Sequence, residues 1–140
     1  MNLVLDTSVV VSAVRSRNGA SNRLLQMAYV RSLRVLATPA LFLEYEELLG
    51  RDEQRAVHRM SPARTRDFLI GLAAIIEPVR VYYQWRPQMQ DADDEMVLET
   101  ALNGHADAIV THNVRDFVSA ASRFNLHVVT PGSLVKEVLK

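Results

Sequence analysis

Four acidic residues stand out by their settings: Asp6, Glu44, Asp94 and Asp116. Asp6 closes the apolar run Leu3-Val4-Leu5, and Asp116 follows a second run, Ala108-Ile109-Val110, across a short polar loop. Both lie just past the carboxyl ends of expected buried strands, the edge at which open parallel sheets bind their ligands. Leu41, Glu44, Tyr45 and Leu48 follow i, i+3, i+4, i+7 spacing, which sets the Glu44 carboxylate on or beside a buried helix face. Asp94 shares its side of a helix with Val97, Leu98 and Ala101, while Glu95 and Glu99 take a flank. An ionised carboxylate in such a place costs roughly several kcal/mol unless a cation or a hydrogen-bond network meets it. Gathered at one sheet edge, each close pair repels by about 4 kcal/mol at about 4 Å and an effective dielectric near about 20. A hard cation with oxygen ligands, Mg²⁺ or Mn²⁺, removes that repulsion. Such an ion polarises a phosphoryl oxygen and activates water, and a second ion steadies the leaving oxygen, so no side-chain nucleophile is needed.

Each acid also has a plainer role open to it. Asp6 and Asp116 can cap the helices that begin beside them, and Asp94, with Asp91 and Asp93, can be a first-turn charge favoured by the helix dipole. Glu46 and Glu47 read as solvated. The conjunction carries more weight than any member. No rival catalytic set has convincing spacing: Ser8, Ser12 and the four histidines form no triad pattern. His105, His112 and His127 read as loop or strand-edge residues, and His58 lies in an arginine-bearing helical segment.

The elements that must position these acids alternate as βα units, the pattern of a mainly parallel sheet. A strand near Leu3 to Leu5 precedes a short helix over Val9 to Val14; Ser21 or Asn22 then caps a helix bearing Leu24, Leu25, Met27 and Ala28. Leu33 to Ala37 reads as the second strand, and Pro39 opens a helix that Gly50 ends. Arg51 to Ile76 is helical twice over, broken by the N-cap pair Ser61-Pro62. Val79 to Tyr83 reads as a strand, Asp94 to Asn103 as a helix ended by Gly104, Ala108 to Val110 and His127 to Val129 as the last strands, and Pro131 as the start of a terminal helix.

A length of 140 residues and a hydrophobic fraction of 49% suit one domain, 1–140, with a single core. No apolar stretch is long enough to span a bilayer, and the first residues have strand character with no basic leader, so a cytosolic protein is expected. With Cys at 0, disulfides, thiolate metal sites and cysteine nucleophiles are excluded. The net charge of +0 argues against coating nucleic acid by bulk electrostatics. Of 16 basic residues, however, only Lys136 and Lys140 are lysine, and arginine's planar fork suits phosphate oxygens.

Taken together, these segments resemble the PIN-domain ribonucleases, most closely the PIN-family toxins of bacterial toxin–antitoxin pairs. Leu3-Val4-Leu5-Asp6-Thr7-Ser8 is similar to the family's opening strand and first acid, and residues 39–45, with Glu44, to the helix holding the second. Residues 91–101 resemble the segment of the third acid, and residues 106–117 the closing motif. The resemblance implies a three-layer α/β/α sandwich around a central, mainly parallel sheet. It further implies that Asp6, Glu44, Asp94 and Asp116 bind Mg²⁺ or Mn²⁺, as a single ion or a pair, and cleave RNA. A homodimer and a cognate antitoxin are implied as partners. Within the third segment Asp94 is preferred for its spacing to Thr100-Ala101 and its inward face, with Asp91 a further candidate ligand. Two departures are visible: Ser8 stands where the family often has Asn, and Asn113 where many relatives carry Asp.

Beside the acids, Thr7 and Ser8 are candidates to hydrogen-bond the first carboxylate, Thr111 to hold a metal-bound water or phosphate, and Asn113 to offer a neutral oxygen. Arg51, Arg55 and Arg59 fall at i, i+4 and i+8, a stripe that either follows an RNA backbone or pairs with Asp52 and Glu53 in solvent. Tyr83 and Trp85 offer stacking on a base, or core or dimer packing. Receiver domains and haloacid-dehalogenase-like phosphatases also use strand-end aspartates, but they need a lysine near the phosphate, and both lysines lie at the extreme C-terminus. A PIN-like module that binds RNA or a protein without cutting remains the alternative.

Overall fold

Short, mostly apolar strands form the central sheet of the molecule. The computed structural model describes residues 1–84, 89 and 91–139. Strands β1 (Asn2–Leu5), β2 (Arg34–Ala37), β3 (Ile76–Pro78), β4 (Ala108–Val110) and β5 (His127–Val129) form a five-stranded sheet in the order β3-β2-β1-β4-β5. Every pairing is parallel. Successive strand residues point to opposite faces, yet Leu3, Val4, Leu5, Ala108, Ile109 and Val110 are all buried, so helices cover both faces. This is the expected three-layer α/β/α arrangement.

The helices are α1 (Thr7–Arg15), α2 (Ala20–Tyr29), α3 (Pro39–Gly50), α4 (Asp52–His58), α5 (Pro62–Ile75), α6 (Ala92–Asn103), α7 (Val114–Arg123) and α8 (Pro131–Val138). Three of them begin alike. Thr38, Ser61 and Thr130 each accept the backbone N–H three residues on, and the proline that follows needs no partner in the first turn.

Three expected boundaries move. The third strand is Ile76–Pro78 and not Val79 to Tyr83, because after Val79 N–H reaches Ala37 O at 3.0 Å the chain leaves the sheet. Asn103, at the end of α6, takes over: its Oδ1 accepts from the N–H groups of Tyr82 and Tyr83 at 2.8 and 3.0 Å. Gly19, not Ser21 or Asn22, is the N-cap of α2; Ser21 is buried inside the helix, and Asn22 donates to Ala13 O at 3.0 Å. Glu95 and Glu99, expected on a flank, are buried, and Glu95 accepts the Met89 N–H. Tyr83 is exposed and belongs to no core, while Trp85 lies outside the described residues.

Register is pinned where the acids will be needed. Asn2 and Asp107 exchange hydrogen bonds at the start of the β1–β4 pair, and Asp6 N–H donates to Val110 O at its end. A buried hydroxyl relay ties α3 to α6: Leu41 N–H donates to Thr38, and Thr100 donates to Met96 O, so Thr38 must donate to Thr100 across 3.2 Å. Gly104 closes α6 against β2. A Cβ there would stand 2.9 Å from Leu36 Cδ1 and 3.0 Å from both Thr100 O and Val79 Cγ2. Gly104→Ala is expected to lower stability by about 1–3 kcal/mol, read as a reduced urea midpoint at unchanged slope.

Candidate metal centre

The strand order changes direction between β1 and β4, since β1 carries β2 on one side and β4 on the other. Loops leaving such neighbours part, and the crevice between them is the usual ligand position in open parallel sheets. A cleft of ≈ 500 Å³ opens there. Asp6, Asp94 and Asp116, from β1–α1, α6 and α7, line it together with Asp91 and Asp93. Three of the four expected acids therefore meet. Glu44 stands at the margin: it is not among the described residues lining the cleft, and its carboxylate lies 3.9 Å from Arg51.

Asp6 is 4% exposed and caps nothing with its side chain, which removes its plainer role. Its Oδ2 instead accepts from Thr111 Oγ1 at 2.6 Å and Ser8 Oγ at 2.9 Å, with Thr7 Oγ1 at 3.4 Å from Oδ1. Thr111 is fully buried and also accepts Asn113 N–H at 2.9 Å. Its hydroxyl is spoken for, so in place of a metal-bound water or phosphate it holds Asp6. Ser8 accepts His112 N–H at 3.4 Å and so joins the β1 and β4 loops.

On α6 the capping role falls to Asp91, whose Oδ1 accepts Asp93 N–H at 2.8 Å. Asp94, one turn inside, is left with no cap to make. Its pKa is raised to about 6, first by burial and then by the charges of Asp6, Asp91, Asp116 and Asp93. Glu44 is also raised, by burial and by Asp93 and Glu47, against the lowering pull of Arg51. At the start of α7 the N-cap is Asn113, whose side chain makes no capping bond and lines the cleft; Asp116 sits in the first turn, exposed to the same cleft.

The expected arginine stripe is not one. Arg51 has extended backbone between α3 and α4, and Arg59 is left-handed at φ 57°, so no single helix carries the series. Arg51 lies 3.2 Å from Glu47 and 3.9 Å from Glu44; Arg55 reaches Asp52 at 4.0 Å and borders a separate groove between α3 and α5. His58 is a brace, since Met60 N–H donates to its Nδ1 and its Nε2 therefore donates to Leu49 O at 3.0 Å.

Sequence reasoning missed several wall residues. Ser12 and Arg15 follow the already expected Ser8 at helical spacing on α1, a polar stripe that was readable, and both line the cleft with it. His112 does too, with Nε2 3.3 Å from Ser21 Oγ. Nothing in the sequence signals Gln54, which reaches the cleft from α4; its Oε1 is buried without a hydrogen-bond partner among the described residues.

Among the described residues, no three histidine, aspartate or glutamate side chains stand together as a ready metal cage. The donor chemistry nonetheless fits a hard divalent cation. The wall offers aspartate carboxylates, the Asn113 amide and the orphaned Gln54 oxygen, with Arg15 the one arginine or lysine among the described lining residues. A partly buried carboxylate such as Asp94, raised by its own burial and by the carboxylates around it, is short of positive charge, and a cation supplies it.

Two expectations follow from this geometry. Because Asp94 is raised above its ordinary 3.8 to about 6, the stability it contributes is complete below about pH 4 and is lost as pH rises through about 6. Metal-free thermal melts should therefore fall between pH 5 and 7.5 for the native chain and less for Asp94→Asn, and Mn²⁺ should restore more at pH 7.5. A helix-dipole role alone would instead make Asp94→Asn the less stable protein at pH 7.5. Thr111→Val removes a buried donor to Asp6 and should cost about 1–3 kcal/mol by urea denaturation.

A family model described as PIN domain matches residues 2–115. Among solved structures, the chain is similar to one in the crystal structure of VapBC2 from Rickettsia felis bound to a DNA fragment from their promoter. The TM-score is 0.64 at 12% identity, over 93% of this chain and 98% of that one, a likeness of fold. No curated protein matches the sequence. With the match covering most of its length, the chain belongs to the PIN-domain family.

Proposed function

We propose that the chain is a metal-dependent ribonuclease that hydrolyses RNA phosphodiester bonds, and that it is the toxin of a toxin–antitoxin pair. The observation that carries the reading is the meeting of Asp6, Asp94 and Asp116 in one cleft at the β1–β4 switch point of a PIN domain. Those three residues would hold Mg²⁺ or Mn²⁺, with Asp91 and Asn113 beside them and Glu44 approaching from the margin. When bound, such an ion offsets charge on the phosphoryl group and makes water a better nucleophile.

The chain's own residues do the rest. Thr111 and Ser8 fix the orientation of the Asp6 carboxylate through its Oδ2 where it lines the cleft. Asp91 caps α6 and thereby holds Asp94 at its position in the first turn. Arg51 keeps Glu44 beside the cleft wall through their 3.9 Å contact. Asn113 and Gln54 offer neutral polar groups to a substrate or to water.

The likeness to a chain of VapBC2 supports a protein antitoxin as partner, and a homodimer acting on RNA in the cytoplasm is part of the same proposal. No helix among the described residues is long and apolar enough to cross a membrane. The neutral Asn113 on the cleft wall favours one second reading, a module that binds RNA without cutting it.

Cleavage of single-stranded and structured RNA, followed with Mn²⁺, Mg²⁺ or chelator, decides between them. Activity is expected with either ion and none with chelator. Asp6→Asn, Asp94→Asn and Asp116→Asn should each lose more than about 100-fold, the loss that even supporting residues of metal sites can reach. RNA binding without metal-dependent cleavage by the unaltered chain would favour the binding module instead.

A further inference from the structure

The acid cleft does not end at α7. A second groove of ≈ 630 Å³ continues from it, sharing Asp91, Asp94 and Asp116 and running beside Arg115, Ser119 and Arg123. These last three fall at i, i+4 and i+8 on a helix unbroken from Val114 to Arg123, and all are exposed. Unlike the arginines around α4, they therefore form a true row. Successive members are about 6 Å apart along the axis, at about 1.5 Å per residue, on the order of one phosphate step along an extended strand.

We propose that this row on α7 is the phosphate track for a single strand of RNA, leading the bond to be cut toward the acids. The inference rests on the nuclease reading of the cleft and adds to it the direction from which substrate arrives. Two observations favour it. Acids alone repel a polyanion, so substrate needs cations adjoining the cleft, and Arg115 and Arg123 supply them in the groove that shares its acids. Guanidinium forks bind phosphate oxygens in pairs, and Ser119 adds a hydroxyl between them. A single row of contacts follows one backbone and reads no base edges, which suits a single strand without sequence preference.

The test measures binding apart from cleavage. In an Asp94→Asn background, a labelled unstructured oligoribonucleotide and a duplex of equal length are titrated by fluorescence anisotropy over a range of KCl concentrations. Arg115→Gln with Arg123→Gln should weaken single-strand binding by about tenfold and flatten the slope of log K against log salt by about 1.4, for two lost contacts. Ser119→Arg, which adds a cation to the row, should strengthen binding and steepen the slope, and it keeps the question open to measurement should the glutamine variant misfold. Arg55→Gln, at the separate groove between α3 and α5, should leave the slope alone. Mn²⁺ affinity, measured in the Asp94-containing protein with and without the α7 substitutions, should not move, which separates a lost track from a distorted metal site.

Unchanged slopes in both α7 variants overturn the proposal, as does a larger loss on duplex than on single strand, or no RNA binding by the unaltered chain. Retained RNA binding with loss of affinity for an acidic protein partner would reassign the row to that partner. Failure of the nuclease reading looks different: the unaltered chain then cleaves nothing, while the α7 variants still change the salt slope.

Discussion

Everything at the candidate site depends on one buried carboxylate. Asp6 follows the central strand, is nearly inaccessible, and is met by hydroxyls from Thr111 and Ser8. A carboxylate so placed must be hydrogen-bonded, and the donor that does most is delivered by the neighbouring strand. The β1–β4 register pairs Leu5 with Val110, so the next residues, Asp6 and Thr111, lie side by side. A slip of one residue would part them and exchange the faces that Leu3, Val4 and Leu5 present to the two helix layers. Core packing and site geometry are thus satisfied by the same alignment.

Around that anchor the cleft is built against electrostatic preference. Asp94 is held with a raised pKa among Asp6, Asp91, Asp116 and Asp93, and the α6 N-cap is itself an aspartate. Local order keeps these charges in place. Asp91 serves the helix terminus, the Thr38–Thr100 relay binds α6 to α3, and Asn103 ties the far end of α6 to the segment after β3. The rigidity that a metal site needs is assembled from caps and hydroxyls, and the acids are free to face the cleft.

Much of this was legible one residue at a time. Leu3 to Leu5 and Ala108 to Val110 announced buried parallel strands because they are apolar without alternation, and Ser61-Pro62 announced a helix start because both residues suit a first turn. Other signals misled. Arg51, Arg55 and Arg59 have helical spacing, yet the chain turns at Arg51 and again at Arg59, so spacing alone did not make a stripe. Glu95 and Glu99 read as flank residues because a helix packed nearly all round cannot be told from an amphipathic one when its buried carboxylates find partners. Val79 to Tyr83 has strand-forming residues, but Asn103 captured its backbone.

What the amino-acid sequence determined by itself is the order of the βα units, the family, and the carboxylates at strand ends and helix starts, for these rest on local periodicity and capping chemistry. Tertiary structure alone decided that Asp91 caps while Asp94 faces the cleft, that Thr111 supports Asp6, that Glu44 stays at the margin, and that Arg115, Ser119 and Arg123 border a groove sharing the cleft's acids. The reason is physical: distances between residues about a hundred positions apart in the chain are set by strand register and by how helices pack across the sheet, and no spacing along the chain encodes them.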